Sequence, residues 1–416
     1  MRIVMFANGI FHRVVGGLAC AGAFAFGLLL AAPATAEDVK IGILFDVTGP
    51  ETDSVPPALN AVKLAVDEIN ANGGILKGQK LQTTVGDSQG TPQGSIDAAT
   101  KLVKVDNVAA IVGALLSDST IAAAHGVTVP NGVLLVSPAS TAPLITTLED
   151  KDFVFRTIES DAYQGWMLGK LVYDQGFRNV ALTYVNNDYG SGIADTFRGA
   201  FENLGGTITD AQAHEPNKNS YIQELTALAE GKPEALVLIT YAAGGGITII
   251  KEALEHGFFK QFIGTDSLLD DTLIKQVGAD KLKGIFFTSP VPIPDSSGLA
   301  IFQKNYSAAY KTTEDDEYID NAYDAVMLVA LAIEQAGSTD RTKIRDALRN
   351  VCCAPGEKIG PGEWATAKAL IAAGKKINYE GASSPLEFDE NGDVTGATGH
   401  FIIENGVFKE VGLVTP

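Results

Sequence analysis

The stretch VLLVSPASTAP, residues 133–143, joins an apolar run to a short polar turn. Residues 133–136 carry only apolar side chains, which is typical of a strand buried on both faces of a parallel sheet. Small hydroxyl residues and two prolines follow at once, where charged loop residues are more usual. The stretch therefore predicts a buried strand whose carboxyl end forms a stiff turn rich in hydrogen-bonding groups.

The same alternation of short strands and helices runs through the whole chain. Before residue 160 the predicted strands are 39–45, 81–85, 109–112 and 133–136, and after Gln164 they are 180–185, 235–239, 262–264 and 285–288. Strands that alternate with helices indicate parallel sheets covered on both faces. The length favours two consecutive open sheets over one core. Asn405-Gly406, between two apolar runs, predicts a C-terminal hairpin.

Residues 1–36 have the pattern of a secretory signal. Arg2 and Arg13 give a positive start, an apolar run follows, and Ala34-Thr35-Ala36 is a small-residue cleavage site. We expect cleavage after Ala36 and secretion of the remaining chain. A membrane anchor and a lipoprotein signal ending at Cys20 are the alternatives.

The chain is strongly acidic. Its net charge of −19 becomes −21 once the two arginines of the signal are removed. Such a surface repels phosphate backbones, so we expect no nucleic-acid partner. Beyond the signal only Cys352 and Cys353 remain. Adjacent cysteines make neither a disulfide framework nor a metal site, and we expect free thiols in preference to a strained ring between neighbours.

Motifs for catalysis, cofactors and metals are incomplete in this sequence. Gly190-Ser191-Gly192 has Asp195 where a dinucleotide fingerprint needs its third glycine, and Gln79 stands where a phosphate loop needs lysine. Residues 389–393 begin like a calcium loop but have His400 at the twelfth position, so a tight turn is expected. We therefore predict no cofactor, no metal site and no enzymatic activity.

Several predicted strands end in polar residues, and ligands of open α/β sheets bind beyond the carboxyl ends of strands. In the first half these ends are 117–120 and 137–141, where hydroxyls and free N–H groups suit a carboxylate, with plain helix capping as the alternative. In the second half Tyr189, Tyr241 and Asp266 follow strands. The tyrosines suit an apolar wall or simple packing, and Asp266 suits an amine or a helix cap.

Taken together, six segments resemble the periplasmic leucine/isoleucine/valine-binding proteins of branched-chain amino-acid ABC transporters. The segments are Thr48-Gly49-Pro50, Asn70-Ala71-Asn72-Gly73-Gly74, Ser117-Asp118-Ser119-Thr120, Ser137-Pro138-Ala139-Ser140-Thr141-Ala142-Pro143, Asn187-Asp188-Tyr189-Gly190 and Phe388-Asp389-Glu390-Asn391-Gly392-Asp393. Each alone is weak, and their order and spacing make the resemblance specific over nearly the whole chain after the signal.

This resemblance implies an α/β fold of two open parallel-sheet sandwich lobes, joined by a three-crossover hinge and closing on a ligand. Lobe 1 would comprise residues 37–158 and 288–396, and lobe 2 residues 159–287 and 397–416. It also implies a set of ligand-binding residues. Ser117 and Thr141, with Ser140 in the same turn, would bind a carboxylate, the backbone of Ala139 and Asp266 would hold an ammonium group, and Tyr189, Tyr241 and, more weakly, Tyr318 would line the pocket.

Two residues depart from the family pattern. Ser54 stands where the family often has an aromatic wall, and Asp266 is one methylene shorter than the usual glutamate. The stretch 352–384 is longer than in the best-known members and contains a predicted helix at 364–373. The departures at Ser54 and Asp266 leave open which side chain the ligand carries.

The function predicted is a solute-binding protein of an ABC importer that binds a branched-chain or other hydrophobic amino acid. It would act as a monomer and deliver the ligand to permease subunits at the membrane by a closed-lobe state. The alternatives are a binder of an aromatic or keto acid that lacks the amine, and a sensor that reports to a signalling partner.

Overall fold

The computed structural model describes residues 37–50, 52–293, 297–311 and 318–415. From Asp38 onward these residues pack as one compact unit. The predicted secretion signal, with its cleavage site after Ala36 and the alternative at Cys20, lies outside the described residues.

The first sheet has five strands, each parallel to its neighbours, in the order β2-β1-β3-β4-β5. They are β1 (Val39–Phe45), β2 (Leu81–Asp87), β3 (Ala110–Gly113), β4 (Leu134–Ser137) and β5 (Val154–Arg156). Ile43 and Leu44, which are neighbours on β1, belong to hydrophobic clusters on opposite faces of the sheet. This burial of both faces explains why the central strands are continuous apolar runs.

The α-helices described between these strands are α1 (Val55–Ala71), α2 (Pro92–Lys104), α3 (Ser117–Ala123) and α4 (Pro143–Thr146). The residues at the start of α2 explain why this helix begins where it does. Pro92 occupies the first helical position, where a missing N–H costs nothing, and the Thr91 side chain accepts a hydrogen bond from Gly94 N–H.

The second sheet contains β6 (Asn179–Val185), β7 (Thr207–His214), β8 (Ala235–Ile239), β9 (Phe262–Gly264) and β10 (Phe286–Val291), which pair in parallel. The helices around it are α5 (Asp161–Asp174), α6 (Asp188–Asn203), α7 (Ile222–Glu230), α8 (Ile247–Glu255) and α9 (Asp271–Val277). Leu236 and Val237 on β8 point into separate hydrophobic clusters, so this sheet is also covered on both faces.

The chain then returns to the first sheet. α10 (Ser297–Tyr310), α11 (Ile319–Ala336) and α12 (Arg341–Cys352) share a hydrophobic cluster with β1, β3 and β4. An inserted unit follows, made of β11 (Glu357–Ile359), α13 (Trp364–Ala372) and β12 (Ile377–Tyr379), with its two strands parallel. Trp364 and Tyr379 are fully buried in the same cluster, so this inserted unit packs onto the first sheet's helices.

The last two strands, β13 (Ala397–Glu404) and β14 (Val407–Val414), return to the second sheet as an antiparallel hairpin beside β10. The second sheet then has the order β14-β13-β10-β9-β8-β6-β7. Asn405 and Gly406 both have positive φ, as the predicted two-residue hairpin turn requires.

Within the described residues the chain therefore passes three times between the two sheets: between β5 and α5, between β10 and α10, and between the inserted unit and β13. We call β1–β5, α1–α4, α10–α13, β11 and β12 the first lobe, and α5–α9, β6–β10, β13 and β14 the second lobe. The α/β class and the two-sheet architecture are as predicted. The lobe limits in the sequence stay a prediction, and the expected limit at 287/288 falls inside β10, which pairs with β13 as far as Val291.

Sequence patterns missed four strands. β7 and β5 lie at sheet edges, and β7 is mostly half-buried, so neither has the apolar run on which the prediction depended. β11 and β12 have three residues each, too few for a periodic pattern. The turn predicted at residues 389–393 is present, with Asp389 Oδ1 accepting from the N–H groups of Asn391 and Asp393.

Candidate functional site

The loops after β3 and β4 are joined through hydroxyl groups. Ser137 Oγ donates to Ala114 O at 2.7 Å, and Ser140 Oγ lies 3.0 Å from Leu115 O and 2.7 Å from Thr120 Oγ1. All of these groups are buried. Ser140, predicted as a ligand-binding residue, therefore has its hydroxyl occupied in holding the two loops together.

Ser117 and Thr141 lie at the surface that these loops present. Ser117 is the first residue of α3, where backbone N–H groups have no partner within the helix. Its hydroxyl oxygen accepts a hydrogen bond from Ala142 N at 3.1 Å, which holds the α3 start against the Thr141 turn. N–H and O–H donors are thus gathered in one place, as a carboxylate requires.

The buried side chain of Arg156 holds the turn that carries Thr141 through hydrogen bonds to its carbonyl groups. Arg156 Nη1 donates to Thr141 O at 2.8 Å and to Ala142 O at 3.1 Å. Its Nε atom donates to Asp393 Oδ1 at 2.7 Å, and its side chain has no exposed surface. The planar guanidinium therefore sets the direction of the turn carbonyls before any ligand binds.

The second lobe contributes two stacked tyrosines. The rings of Tyr189 and Tyr241 have centroids 5.4 Å apart and planes inclined by 25°. The Tyr189 hydroxyl lies 2.9 Å from Thr265 Oγ1, and Asn187 Nδ2 donates to Tyr241 OH at 3.2 Å. The pair forms an apolar wall whose polar tips are held in place.

Asp266, at the end of β9, is 2% exposed and accepts three side-chain hydrogen bonds. The Oδ1 atom accepts from Gln164 Nε2 at 2.9 Å and Tyr189 OH at 3.1 Å, and Oδ2 accepts from Tyr318 OH at 2.9 Å. Tyr318 precedes α11 of the first lobe, so its contact spans the cleft. Burial raises the pKa of Asp266, while the hydrogen bonds from Gln164, Tyr318 and Tyr189 oppose that shift.

A cavity of about 20 Å³, with room for about one water molecule, lies between these groups. The predicted residues that line it are Ser117, Ala139, Thr141, Tyr189, Tyr241, Asp266 and Tyr318. Ser54, Leu115, Leu116 and Ser267 complete the lining. The structure thus brings together every predicted site residue except Ser140, around a cavity that is smaller than an amino acid in this conformation.

Two further carboxyl groups near this cavity were not singled out from the sequence. Asp161, the first residue of α5, has no exposed surface, and burial with the nearby Asp266 charge raises its pKa. Burial raises the pKa of Glu159 to about 8, with Asp266 adding to the shift, although Thr398 Oγ1 donates to it at 3.0 Å. Three acidic side chains therefore lie close together beside the cavity, and a positively charged group in the ligand would oppose their raised pKa values.

Gln164, which positions Asp266, was also missed. It lies one turn after Asp161, so both side chains are on one face of α5. Ser160-Asp161-Ala162-Tyr163-Gln164 begins a helix directly after the first crossing between the sheets. A polar helix start at a lobe junction was the available signal, but it follows no predicted strand.

The chemistry of the site is that of recognition. Donors lie on the first lobe, a buried carboxylate on the second, and apolar surface between them. In the described residues no group of three or more His, Cys, Asp or Glu side chains is placed to hold a metal ion. None of the helices in the described part of the chain has the length and apolar character needed to cross a bilayer.

Comparison with known proteins defines the class. A family model described as periplasmic binding protein matches residues 38–356. The Leu/Ile/Val-binding protein BraC3 of Rhizobium johnstonii is 30% identical over 325 residues, covering 77% of this chain and 85% of its own.

Solved structures show the same fold. The branched-chain amino-acid transporter substrate-binding protein LivJ from Streptococcus pneumoniae, in complex with isoleucine, aligns with a TM-score of 0.75 at 25% identity, over 91% of this chain and 100% of its own. A solute-binding protein from R. palustris in complex with benzoate aligns with a TM-score of 0.73 at 17% identity, over 91% and 97%.

The chain belongs to the periplasmic binding protein family. Its fold is the type I fold of that family, with two α/β lobes and mainly parallel sheets. The resemblance to Leu/Ile/Val-binding proteins found in the sequence is thereby confirmed.

Proposed function

We propose that this protein binds a zwitterionic amino acid with an aliphatic or other apolar side chain in the cavity between its lobes. The observation that carries the proposal is the placement of Asp266, a buried carboxylate facing the donors around Ser117 and Thr141. An ammonium group would pair with Asp266 and the carbonyl of Ala139, and a carboxylate would accept from the opposite side.

The side chain of the ligand would lie among Leu115, Leu116 and the two stacked tyrosines. Burying an aliphatic side chain contributes about 1.5–3 kcal/mol, and each charge-assisted hydrogen bond contributes about 1.5–3 kcal/mol. Micromolar affinity requires about 8 kcal/mol, so two or three such bonds with one buried side chain approach it before ordering costs. Ser54 lines the cavity where the family often has an aromatic wall, so the preferred side chain of the ligand stays open.

The protein would act in the periplasm as the soluble receptor of an ABC importer. Ligand binding would favour the state in which Tyr318 and Asp266 are in contact, because the ligand touches both lobes. Permease subunits would recognise that closed shape. Deletion of the gene should abolish uptake of the ligand at low external concentration, and unchanged uptake would contradict the transport role.

A second candidate ligand is an aromatic or keto acid without the amine. The observation that favours it is the raised pKa of Asp266, because a protonated Asp266 would donate to an acid instead of repelling it. A R. palustris protein of this fold is described in complex with benzoate.

A thermal-shift screen of the purified protein separates the two ligands. We expect leucine, isoleucine or valine to raise the melting temperature, and the matching keto acids and benzoate to leave it unchanged. Asp266→Asn, which keeps the shape but removes the charge, should abolish the shift. A shift with the amine-free acids alone would overturn the amino-acid proposal and support the second candidate.

A further inference from the structure

The two cysteines at the end of α12 are unusually close. Cys352 is the last residue of the helix and Cys353 follows it, with both thiols free and their Sγ atoms 2.7 Å apart. A disulfide bond is about 2.05 Å long, and carbon atoms pack at about 3.5–4.0 Å. The backbone at the end of α12 therefore already holds the two sulfur atoms closer than a packing contact, and only a small movement separates them from a bond.

The two thiols differ in exposure and in the direction in which their pKa values are shifted. Cys352 is fully buried, whereas Cys353 is partly exposed. The hydrogen bond with Cys352 lowers the pKa of the Cys353 thiol, and Phe388 N–H and the Arg349 charge act in the same direction, against burial and the Glu387 carboxylate. The same hydrogen bond and burial raise the pKa of Cys352. Cys353 is thus the more accessible and the more acidic of the two thiols, and Cys352 is the one that keeps its proton more firmly.

Arg349 is fixed where its charge can support that thiolate. It lies one helical turn before the pair, and its Nη2 atom donates to Asp152 Oδ1 at 2.7 Å. Its Nη1 atom donates to Phe388 O at 3.3 Å, in the segment that also faces Cys353. The guanidinium is therefore held between Asp152, just before β5, and the Phe388 carbonyl.

We propose that Cys352 and Cys353 form a dithiol site that reacts with small disulfides and closes to a vicinal disulfide. The Cys353 thiolate attacks one sulfur of a disulfide RS–SR, forming a mixed disulfide and releasing RS⁻. Cys352 then loses its proton and attacks the Cys353 sulfur, and the second RS⁻ leaves. Two thiols are oxidised and one external disulfide is reduced to two thiols, so electrons and atoms balance.

The closed ring joins neighbouring residues and is strained, so a dithiol reductant reopens it readily. The site lies at the junction between α12 and the inserted unit. There Ala354 N donates to Glu387 Oε2 at 3.0 Å, and Asn378 Nδ2 donates to Glu387 Oε1 at 2.8 Å. Oxidation would act on this junction, away from the cavity between the lobes.

The test uses the reduced protein, oxidised glutathione as the disulfide and intact-mass spectrometry after alkylation. We expect the parent to lose two hydrogens, to carry no glutathione and to resist alkylation at residues 352 and 353. Cys352→Ser should retain one glutathione on Cys353, because the resolving thiol is missing. Cys353→Ser should react at least about tenfold more slowly, because Cys352 is buried. Peptide mapping distinguishes modification at residues 352 and 353 from modification at Cys20.

A stable glutathione adduct on the parent would overturn the proposal, as would a parent that stays unreacted while Cys352→Ser forms its adduct. Equal rates for the two single variants in the folded state would overturn the assigned roles. Both variants should react equally in urea, which shows that any difference arises from the fold.

Discussion

The Asp118 carboxylate accepts a hydrogen bond of 2.8 Å from the backbone N–H of Asp188, so a first-lobe side chain holds the start of a second-lobe helix. The N-terminus of α6 carries a partial positive charge, which favours an anion at this position. Burial nevertheless raises the pKa of Asp118 to about 6, and the Asp188 charge adds to the shift. The contact joins the lobes directly and depends on protonation.

Asp118→Asn should remove one part of the pH dependence of stability. The folded-state pKa of Asp118 lies above its usual 3.8, so folding takes up a proton between about pH 4 and 6. The free energy of unfolding of the parent therefore falls as the pH rises through that window. The variant copies the neutral acid, so it should match the parent near pH 4 and exceed it above pH 6, by at most about 3 kcal/mol.

Urea denaturation at pH 4.5 and 7.5 measures this difference. Asp195→Asn, an exposed change on the same helix, is the control and should shift both values equally. If Asp118→Asn were less stable than the parent at pH 7.5, burial would not dominate at this contact, and the helix-terminus attraction would be the larger effect.

Asp266→Asn should separate binding from stability. The variant keeps the shape and an acceptor oxygen but removes a buried charge, so affinity for an amino acid should fall at least about 100-fold. Stability should stay the same or rise above pH 7, because repulsion from Asp161 and Glu159 is relieved. Isothermal titration and urea denaturation give the two quantities, and unchanged affinity would show that the ammonium group binds elsewhere.

Arg156→Lys should weaken ligand binding through the turn that carries Thr141. Lysine keeps the charge but cannot donate at once to the two turn carbonyls and to Asp393, so buried acceptors lose partners at about 1–3 kcal/mol each. We expect an affinity loss of about tenfold or more, together with lower stability.

Arg349→Lys is the matched control for that variant. Arg349 also pairs with an aspartate and several carbonyls, but it lies away from the cavity. It should lower stability and leave affinity unchanged. If both variants changed affinity equally, the effect would be one of general destabilisation and not of the Thr141 turn.

The sequence predicted those parts of the molecule in which one local pattern has one structural meaning. Residues 133–136 were predicted as a buried strand, and β4 confirms this. The cavity residues that follow strands, such as Ser117 and Asp266, were found for the same reason. Parallel strands bring their carboxyl ends to one edge, so position along the chain fixes position in space.

Asp161 and Gln164 could not be predicted in this way. They start a helix after a crossing between lobes, and their importance comes from Asp266, about 100 residues away in sequence. A buried acid acquires its role from neighbours that a single sequence does not identify. For a related reason the sequence identified the longer stretch 352–384 and its helix α13, but nothing local indicated what they pack against.

Substitution of Trp364 tests how the inserted unit is attached to the first lobe. Its side chain is fully buried and its indole Nε1–H donates to Gly74 O at 3.1 Å. Glu68 on α1 also accepts hydrogen bonds from Gly362 N at 3.2 Å and from Tyr323 OH at 2.6 Å. One indole and one carboxylate therefore hold the inserted unit onto α1 and α11.

Trp364→Ala should lower the free energy of unfolding by about 3–5 kcal/mol, because a large buried side chain leaves a cavity. Trp364→Phe should cost much less, since it fills most of the space and Lys368 Nζ still donates to Gly74 O at 2.7 Å. Trp166→Phe is the control, because Trp166 is 43% exposed. Hydrogen exchange at residues 357–379 distinguishes local release from global loss. If the alanine variant lost less than about 1 kcal/mol with those amides still protected, Trp364 would not be the anchor of the inserted unit.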